Sequence, residues 1–396
     1  MRDTRPLIAH VVYRFAVGGL ENGVVNLINR MPADRWRHAV IALDSVCERF
    51  AARVQRSDVE YVALQKGPGH LLRHYPRLAA LFRSLKPAVA HTRNLAALEA
   101  TVPAWWAGVP VRVHGEHGWD LHDPHGDNAR YQNLRRMYVP FVHHYIALSR
   151  DLAAYLQDRV RVPSERISRV CNGVDVERFA ANAAREPHGM PFGRSHWLVG
   201  TVGRLQAVKD QSNLARAFVL AVHSSPQAAA RMRLVIVGDG PLRQQVAGIL
   251  REGGVESLAW FAGERDDVPA LLARLDCFVL PSQAEGISNT LLEAMASRRC
   301  IVATRVGGNA ELVEDGTSGT LVPPGDPRAL AAAMLAYLFD PERAARHAAC
   351  ARARAVHDFS LDRMVGDYEA VYLRLLAGRP VQTRPTMALR PPSPGR

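Results

Sequence analysis

An α/β fold of two doubly wound, Rossmann-like domains facing a central cleft is predicted by three features of the sequence. Short, nearly unbroken apolar runs alternate with amphipathic stretches rich in Ala, Leu and Arg, the pattern of parallel strands covered by helices on both faces. A length of 396 residues with 48% hydrophobic content supports more than one core. The alternation breaks once, at "AANAAREPHGMPFGRS" (Ala180–Ser195), where two prolines and two glycines interrupt any apolar period. That stretch reads as a linker.

Strands are expected in the first half at "LIAHVV", "HAVIAL", "VEYVAL", "AVAHT", "VRVHGEH", "YIALS" and "ISRVCNG". In the second half they are expected at "WLVGTVG", "RLVIVGDG", "LAWFAG", "CFVLPS", "CIVATRVGG" and "GTLVP". Helical periods lie between them, among others at Gly19–Asn29, Tyr75–Leu85, Gln211–Ser224, Pro241–Glu252 and Asp326–Leu338. The expected domains are residues 1–180 and 195–358. A last helix at about 360–378 places Tyr368 and Tyr372 four apart on one face. The Pro- and Arg-rich stretch 379–396 reads as a disordered tail.

Five scattered cysteines without a CxxC pair point away from a disulfide framework or zinc site, and towards a reducing cytoplasm. No apolar run approaches the roughly 18 residues of a membrane span, and the opening residues read as a strand entry rather than a signal peptide. Of the formal charge of +12, +8 falls in residues 1–190. A basic surface attracts phosphates of any kind, in nucleotide, anionic lipid or nucleic acid. Only three of the fifty basic residues are lysines, Lys66, Lys86 and Lys209, so a lysine at a loop marks a candidate point charge.

Ligands of open α/β sheets bind beyond the carboxyl ends of strands, and the chemistry-bearing residues cluster there. In "AEGISNTLLEAMA" (Ala284–Ala296), Ser288 reads as the N-cap of a helix beginning at Asn289. The first-turn amides of Asn289, Thr290 and Leu291 would be left open to an anion. Glu285 precedes the helix, Gly286 admits a ligand to the backbone, and Glu293 lies about a turn inside. Carboxylates offset in this way suit hydroxyl pairs on a sugar and a ribose, not a shared proton. A solvated loop glutamate beside an ordinary helix glutamate is the alternative.

In "GTVGRLQAVKDQ", Arg204 and Lys209 follow a strand and can clamp phosphate oxygens. In "VVYRFAVGGLENGV", Gly18 and Gly19 open a helix, where backbone amides can approach a phosphate. No G-x-G-x-x-G fingerprint is present there or at "VGDGP". "VRVHGEHGWD" ends a strand with His114, Glu116 and His117, and no further ligand stands at metal spacing. "CNGVD" reads as a tight turn, "RVGGNAELVEDG" offers Gly307, Gly308 and Glu311 as turn or nucleotide contacts, and "RYQNLRRMY" reads as a solvated or lipid-facing helix.

"EGISNTLLEAMA" resembles the E-x7-E signature of retaining glycosyltransferases of GT-B architecture. It is most similar to glycosyltransferase family 4 (glycosyl transferases group 1) and the bacterial exopolysaccharide sugar transferases within it, including the PEP-CTERM/exosortase-associated subgroup. The resemblance spans roughly Pro6 to Leu376. It implies that Glu285 and the backbone of Gly286, Ile287, Ser288, Asn289 and Thr290 meet the donor sugar, and that Glu293 holds the ribose. It further implies that Arg204 and Lys209 neutralise the diphosphate and that Gly18 and Gly19 close over the donor. His117 would face the sugar and acceptor, with Glu116 and Asp120 as secondary candidates.

The implied reaction moves a hexose from a nucleoside diphosphate sugar to a hydroxyl of a glycan or lipid-linked acceptor, with retention of configuration. Neither a metal nor another cofactor is implied, and no nucleic-acid partner. The expected location is cytoplasmic, peripheral at the inner face of the cell membrane. Two departures, "QAVKDQ" where glycine often follows the lysine and "AEGIS" where an aromatic or proline is common, leave the donor sugar open. Competing readings are a nucleotide-sugar epimerase, a phosphorylase without its cofactor-lysine context, and a non-catalytic basic lipid or nucleic-acid binder.

Overall fold

The computed structural model describes residues 3–67, 69–119, 123, 126–181 and 186–378. The expected tail, Asp120 and part of the Ala180–Ser195 linker lie outside these residues. Among the described residues, thirteen parallel strands form two sheets. The first holds β1 (Leu7–Val12), β2 (Arg37–Ala42), β3 (Val59–Ala63), β4 (Val89–Arg93), β5 (Val111–Glu116), β6 (His144–Ala147) and β7 (Ile167–Arg169), in the order β3-β2-β1-β4-β5-β6-β7. The second holds β8 (Trp197–Val202), β9 (Met232–Val237), β10 (Ala259–Gly263), β11 (Cys277–Leu280), β12 (Cys300–Thr304) and β13 (Thr320–Val322), in the order β10-β9-β8-β11-β12-β13. The predicted class of two parallel-sheet α/β domains is the observed one.

Central strands such as β1, β4, β5, β11 and β12 are buried along their whole length. β11 and most of β12 are unbroken apolar runs, as burial on both faces favours, whereas β1, β4 and β5 also bury His10, His91, Thr92, Arg93, Arg112, His114 and Glu116. Strand order reverses between β1 and β4 in the first sheet and between β8 and β11 in the second. At such a switch point the flanking loops diverge and leave a crevice. Gly18–Gly19 follow β1, Arg204 and Lys209 follow β8, and Glu285 follows β11. The topology thus delivers these residues to the crevices.

The domains are joined by more than the chain. The helix Leu361–Ala377 lays Leu361, Met364, Val365, Tyr368, Val371 and Tyr372 on the first sheet's core, against Ile8, Trp36, Val89 and Val111. Trp36 Nε1 donates to Glu369 at 2.8 Å, and Tyr372 OH lies 2.6 Å from His91 Nδ1. Val174, in the "NGVD" turn, exchanges backbone bonds with Phe359 and Leu361. Glu311 of the second domain pairs with Arg169 Nη1 at 2.6 Å and accepts the Arg150 amide at 2.5 Å, both from the first. Glu311 is therefore a strut between domains, and the "NGVD" turn is the junction itself.

Tyr372 is fully buried and packs edge-on against Trp36. Tyr372→Ala is expected to cost about 3–5 kcal/mol of stability. Tyr372→Phe, which only strands His91 Nδ1, is expected to cost about 1–3 kcal/mol. Urea unfolding followed by tryptophan fluorescence measures both; a Phe variant as stable as the parent would contradict the bond to His91, and equal costs would contradict the packing of the ring.

Candidate active site between the domains

Glu285 is held by its neighbours rather than left in water. Lys209, at the end of the turn Ala207–Lys209, donates to Glu285 Oε1 at 2.6 Å, and Ser282 Oγ donates to the same oxygen at 2.6 Å. The Glu285 side chain is 8% exposed, a burial that an unpaired carboxylate would not tolerate. Both bonds converge on Oε1, so Oε2 remains for a ligand. Sequence reasoning assigned Lys209 and Glu285 to different parts of the donor, whereas here they neutralise each other.

Backbone geometry fixes this loop. Thr304 Oγ1 donates to the Ser282 carbonyl at 2.6 Å, and Gln283 N donates to Val208 O at 2.8 Å. Gly308 N donates to Gly286 O at 2.8 Å. At Gly307 the φ is +45° and an added Cβ would lie 1.8 Å from the Glu285 carbonyl, so only glycine fits there. Gly307 and Gly308 accordingly buttress the Glu285 loop. "VGDGP" serves Arg204 in a similar way: at Gly238, with φ +122°, a Cβ would stand 2.1 Å from Gly203 O, and Leu205 N donates to Asp239 O at 2.9 Å.

Ser288 caps the Asn289–Ala296 helix, as its sequence position implies. Its Oγ accepts the Leu291 amide at 3.3 Å, so Leu291 N–H, expected to be open, is taken by the cap. Ile287 is buried, with its tip near Gly308. Across Gly286 stand Gly118 and the His117 carbonyl of the first domain, so the close approach there is between domains. Asn289 Oδ1 accepts from Asn172 Nδ2 at 2.8 Å, and its Nδ2 faces Gly19.

A cavity of about 500 Å³ opens between the domains and gathers Gly18, Gly19, Arg204, Asn289, Thr290 and Glu293. Sequence reasoning missed Asn22 and Arg53, which line it from the first domain, and Arg178, on the helix Val176–Ala181 where the chain passes to the second. Their positions depend on the chain crossing, which periodicity does not show. Burial pushes the Glu293 carboxyl up to about 7, an effect only partly offset by the Arg178 charge. Glu285 opens instead onto a second cavity of about 490 Å³, with Trp119, Tyr155, Asp127 and Gly307. The two carboxyls are offset along the cleft, on opposite sides of the 285–290 turn.

Other candidates are placed differently. The His117 amide donates to Asn94 Oδ1 at 2.7 Å, while its ring folds over Gly115 and leaves Nε2 buried without a partner. Burial, with the Arg93 and His114 charges, depresses its pKa to about 3, so His117 stays neutral and offers a hydrogen bond rather than a charge. Glu116 is a core residue. Burial alone would raise it, but Arg135, 2.6 Å away, and His114 outweigh that and hold it at about 2. Arg135 is correspondingly buried, against the reading of "RYQNLRRMY" as wholly solvated.

Gly18 accommodates a carboxylate of the chain itself. A Cβ there would lie 2.1 Å from Glu21 Oε2, so Glu21 folds back over the helix start. An acid in the first turn of a helix was a visible sequence signal for it. Among the described residues no group of three His, Cys, Asp or Glu side chains could hold a metal ion.

The raised Glu293 value carries a pH consequence. Its folded pKa lies above the ordinary 4.5, so the native state is penalised as pH rises from about 4.5 through about 7, and keeps that penalty above it. Glu293→Gln should therefore be more stable than the parent by roughly 1–2 kcal/mol near pH 8, discounted for the open cavity side, and equal to it near pH 4. Thermal unfolding at both pH values checks this, and a difference independent of pH would show that burial does not set the titration.

The chain is similar to known proteins over most of its length. A glycosyltransferase family 4 model matches residues 17–178, and a glycosyl transferases group 1 model matches residues 197–340. A Bacillus subtilis (strain 168) protein named as glycosyltransferase EpsF is 27% identical over 77% of this chain and 81% of its own. An Escherichia coli protein named UDP-Gal:alpha-D-GlcNAc-diphosphoundecaprenol alpha-1,3-galactosyltransferase is 24% identical over 78% of this chain and 82% of its own. Anabaena HepE, solved in complex with UDP, superposes with a TM-score of 0.78 at 22% identity, covering 94% of this chain and 100% of that one. The fold is GT-B, and the chain is a glycosyltransferase enzyme belonging to the family 4/group 1 glycosyltransferases.

Proposed function

We propose that this enzyme moves a hexose from a nucleoside diphosphate sugar to a hydroxyl of a glycan, lipid-linked in its likeness to the E. coli relative, during exopolysaccharide or cell-surface polysaccharide synthesis. The supporting observation is the interdomain cavity in which Arg204, the Asn289 helix start and the Glu293 carboxyl meet Gly19 of the other domain. Cations and backbone amides suit a diphosphate, and a carboxyl a helical turn further on suits a ribose diol. HepE's complex with UDP and the UDP-Gal in the relative's name favour a uridine nucleotide.

In this reading the sugar's C1–O bond breaks and its electron pair goes to the diphosphate. The acceptor hydroxyl forms the new bond to C1 on the same face, with retention, and gives its proton to the departing diphosphate oxygen. Arg204, Lys209 and the Asn289 helix start stabilise the charge growing on the leaving group, which is electrostatic catalysis by preorganised donors. A bound sugar would meet Glu285 Oε2, and Lys209 would then divide its charge between Glu285 and the phosphate. These groups do the work of a resident cation, so activity should survive EDTA. The proposed location is the inner surface of the cell membrane.

A thermal-shift series with UDP, GDP, ADP and their sugars should show UDP species raising the midpoint most, followed by UDP release on turnover. Lys209→Ala should lower turnover about 10²–10³-fold. Because it also strands Glu285, the double variant Lys209→Ala/Glu285→Gln should recover the thermal midpoint but not the turnover. Full turnover in either variant, or activity abolished by EDTA, would refute the mechanism.

A further inference from the structure

One face of the first domain exposes large apolar side chains beside arginines. Leu72, Trp105, Trp106 and Met137 are 63%, 54%, 54% and 66% exposed. They lie on the turn Leu72–His74, which leads into the helix Tyr75–Leu85, on the helix Thr101–Trp106, and on the helix Ala129–Tyr138, which leads into the turn Val139–Phe141. These segments touch one another. The Arg83 guanidinium lies 5.5 Å over the Trp106 ring, and Trp105 meets Phe141 edge to face at 5.3 Å.

Charge on this face has one sign. Glu99 is the only acid between residues 70 and 115, and there is none between 128 and 144. Glu99 is turned onto the Leu71 amide at 2.6 Å and the His70 ring at 3.1 Å. Arg73, Arg77, Arg83, Arg130 and Arg136 are exposed, and none of the five pairs with a carboxylate among the described residues.

Contiguous apolar exposure ringed by unpaired cations marks a contact surface rather than ordinary solvated protein. Tryptophan favours the boundary between hydrocarbon and water, where its ring is buried and its N–H stays wet. Arginines beside it add attraction to anionic headgroups that fades with salt. A second copy of this chain is a poor occupant, because a two-fold interface would set the same positive patch against itself.

We infer that this face docks the enzyme on an anionic phospholipid surface, with Trp105, Trp106, Leu72 and Met137 entering the headgroup layer and the arginines meeting lipid phosphates. The inference deepens the peripheral location proposed above but rests on the surface itself, so a failure of the donor chemistry would leave it standing.

Flotation with vesicles of phosphatidylcholine alone or mixed with phosphatidylglycerol tests it with the full chain. The parent protein should float with the mixed vesicles, stay behind with phosphatidylcholine, and release in high salt. Trp105→Ala/Trp106→Ala and Arg73→Glu/Arg83→Glu should each weaken binding about tenfold or more, with unchanged thermal midpoints. The proposal is overturned by binding indifferent to lipid charge, by variants that float as the parent does, or by a parent dimer that the tryptophan variant converts to monomer.

Discussion

Two carboxyl groups in a place poor in water constrain everything around them. Glu285 is held in place by Lys209 and Ser282, which converge on one of its oxygens. Glu293 has no such partner and instead holds its proton towards neutral pH. A site of this kind is stable only if its loops are rigid, since a slip of either loop would leave a charge uncompensated. Gly307, Gly308 and the Thr304 hydroxyl brace one loop, and the Gly238 turn braces the other. Much of what looks like turn chemistry in the sequence is support for the Glu285–Lys209 pair.

The strands and the class of fold were legible because strands buried on both faces are written as continuous apolar runs. The E-x7-E segment was legible for a different reason: its chemistry and its local structure lie in the same thirteen residues. Contacts that form only when distant segments meet were not. Glu116 and Arg135 form a buried pair across nineteen positions, and nothing in the spacing of either distinguishes them from surface charges. Arg178 reaches the Glu293 cavity because the chain crosses between domains just before it. The Pro341–Asp358 helix escaped the periodic reading because its buried side is His347, Ala348, Ala351 and Ala355, a narrow stripe of small residues without a strong apolar signal.

Closure of the two domains is written in small groups. Gly286 lies against Gly118, Gly19 against Asn289, and Asn172 against Asn289. Small side chains allow backbone to meet backbone, which brings loops from both domains within reach of one ligand. The Glu311–Arg169 pair holds the same approach from further out. The N-terminal glycine loop differs from a simple phosphate cradle, because Glu21 already covers part of it, and any anion arriving there meets that carboxyl first.

The helix Leu361–Ala377 completes the core of the opposite end of the chain. During synthesis the ribosome releases strands β1–β7 long before it makes Tyr368 and Tyr372, so Trp36, Val89 and Val111 must wait uncovered while the whole second domain emerges. The first half thus keeps an apolar patch open until the last helix arrives, and its core closes only after the second domain has been made.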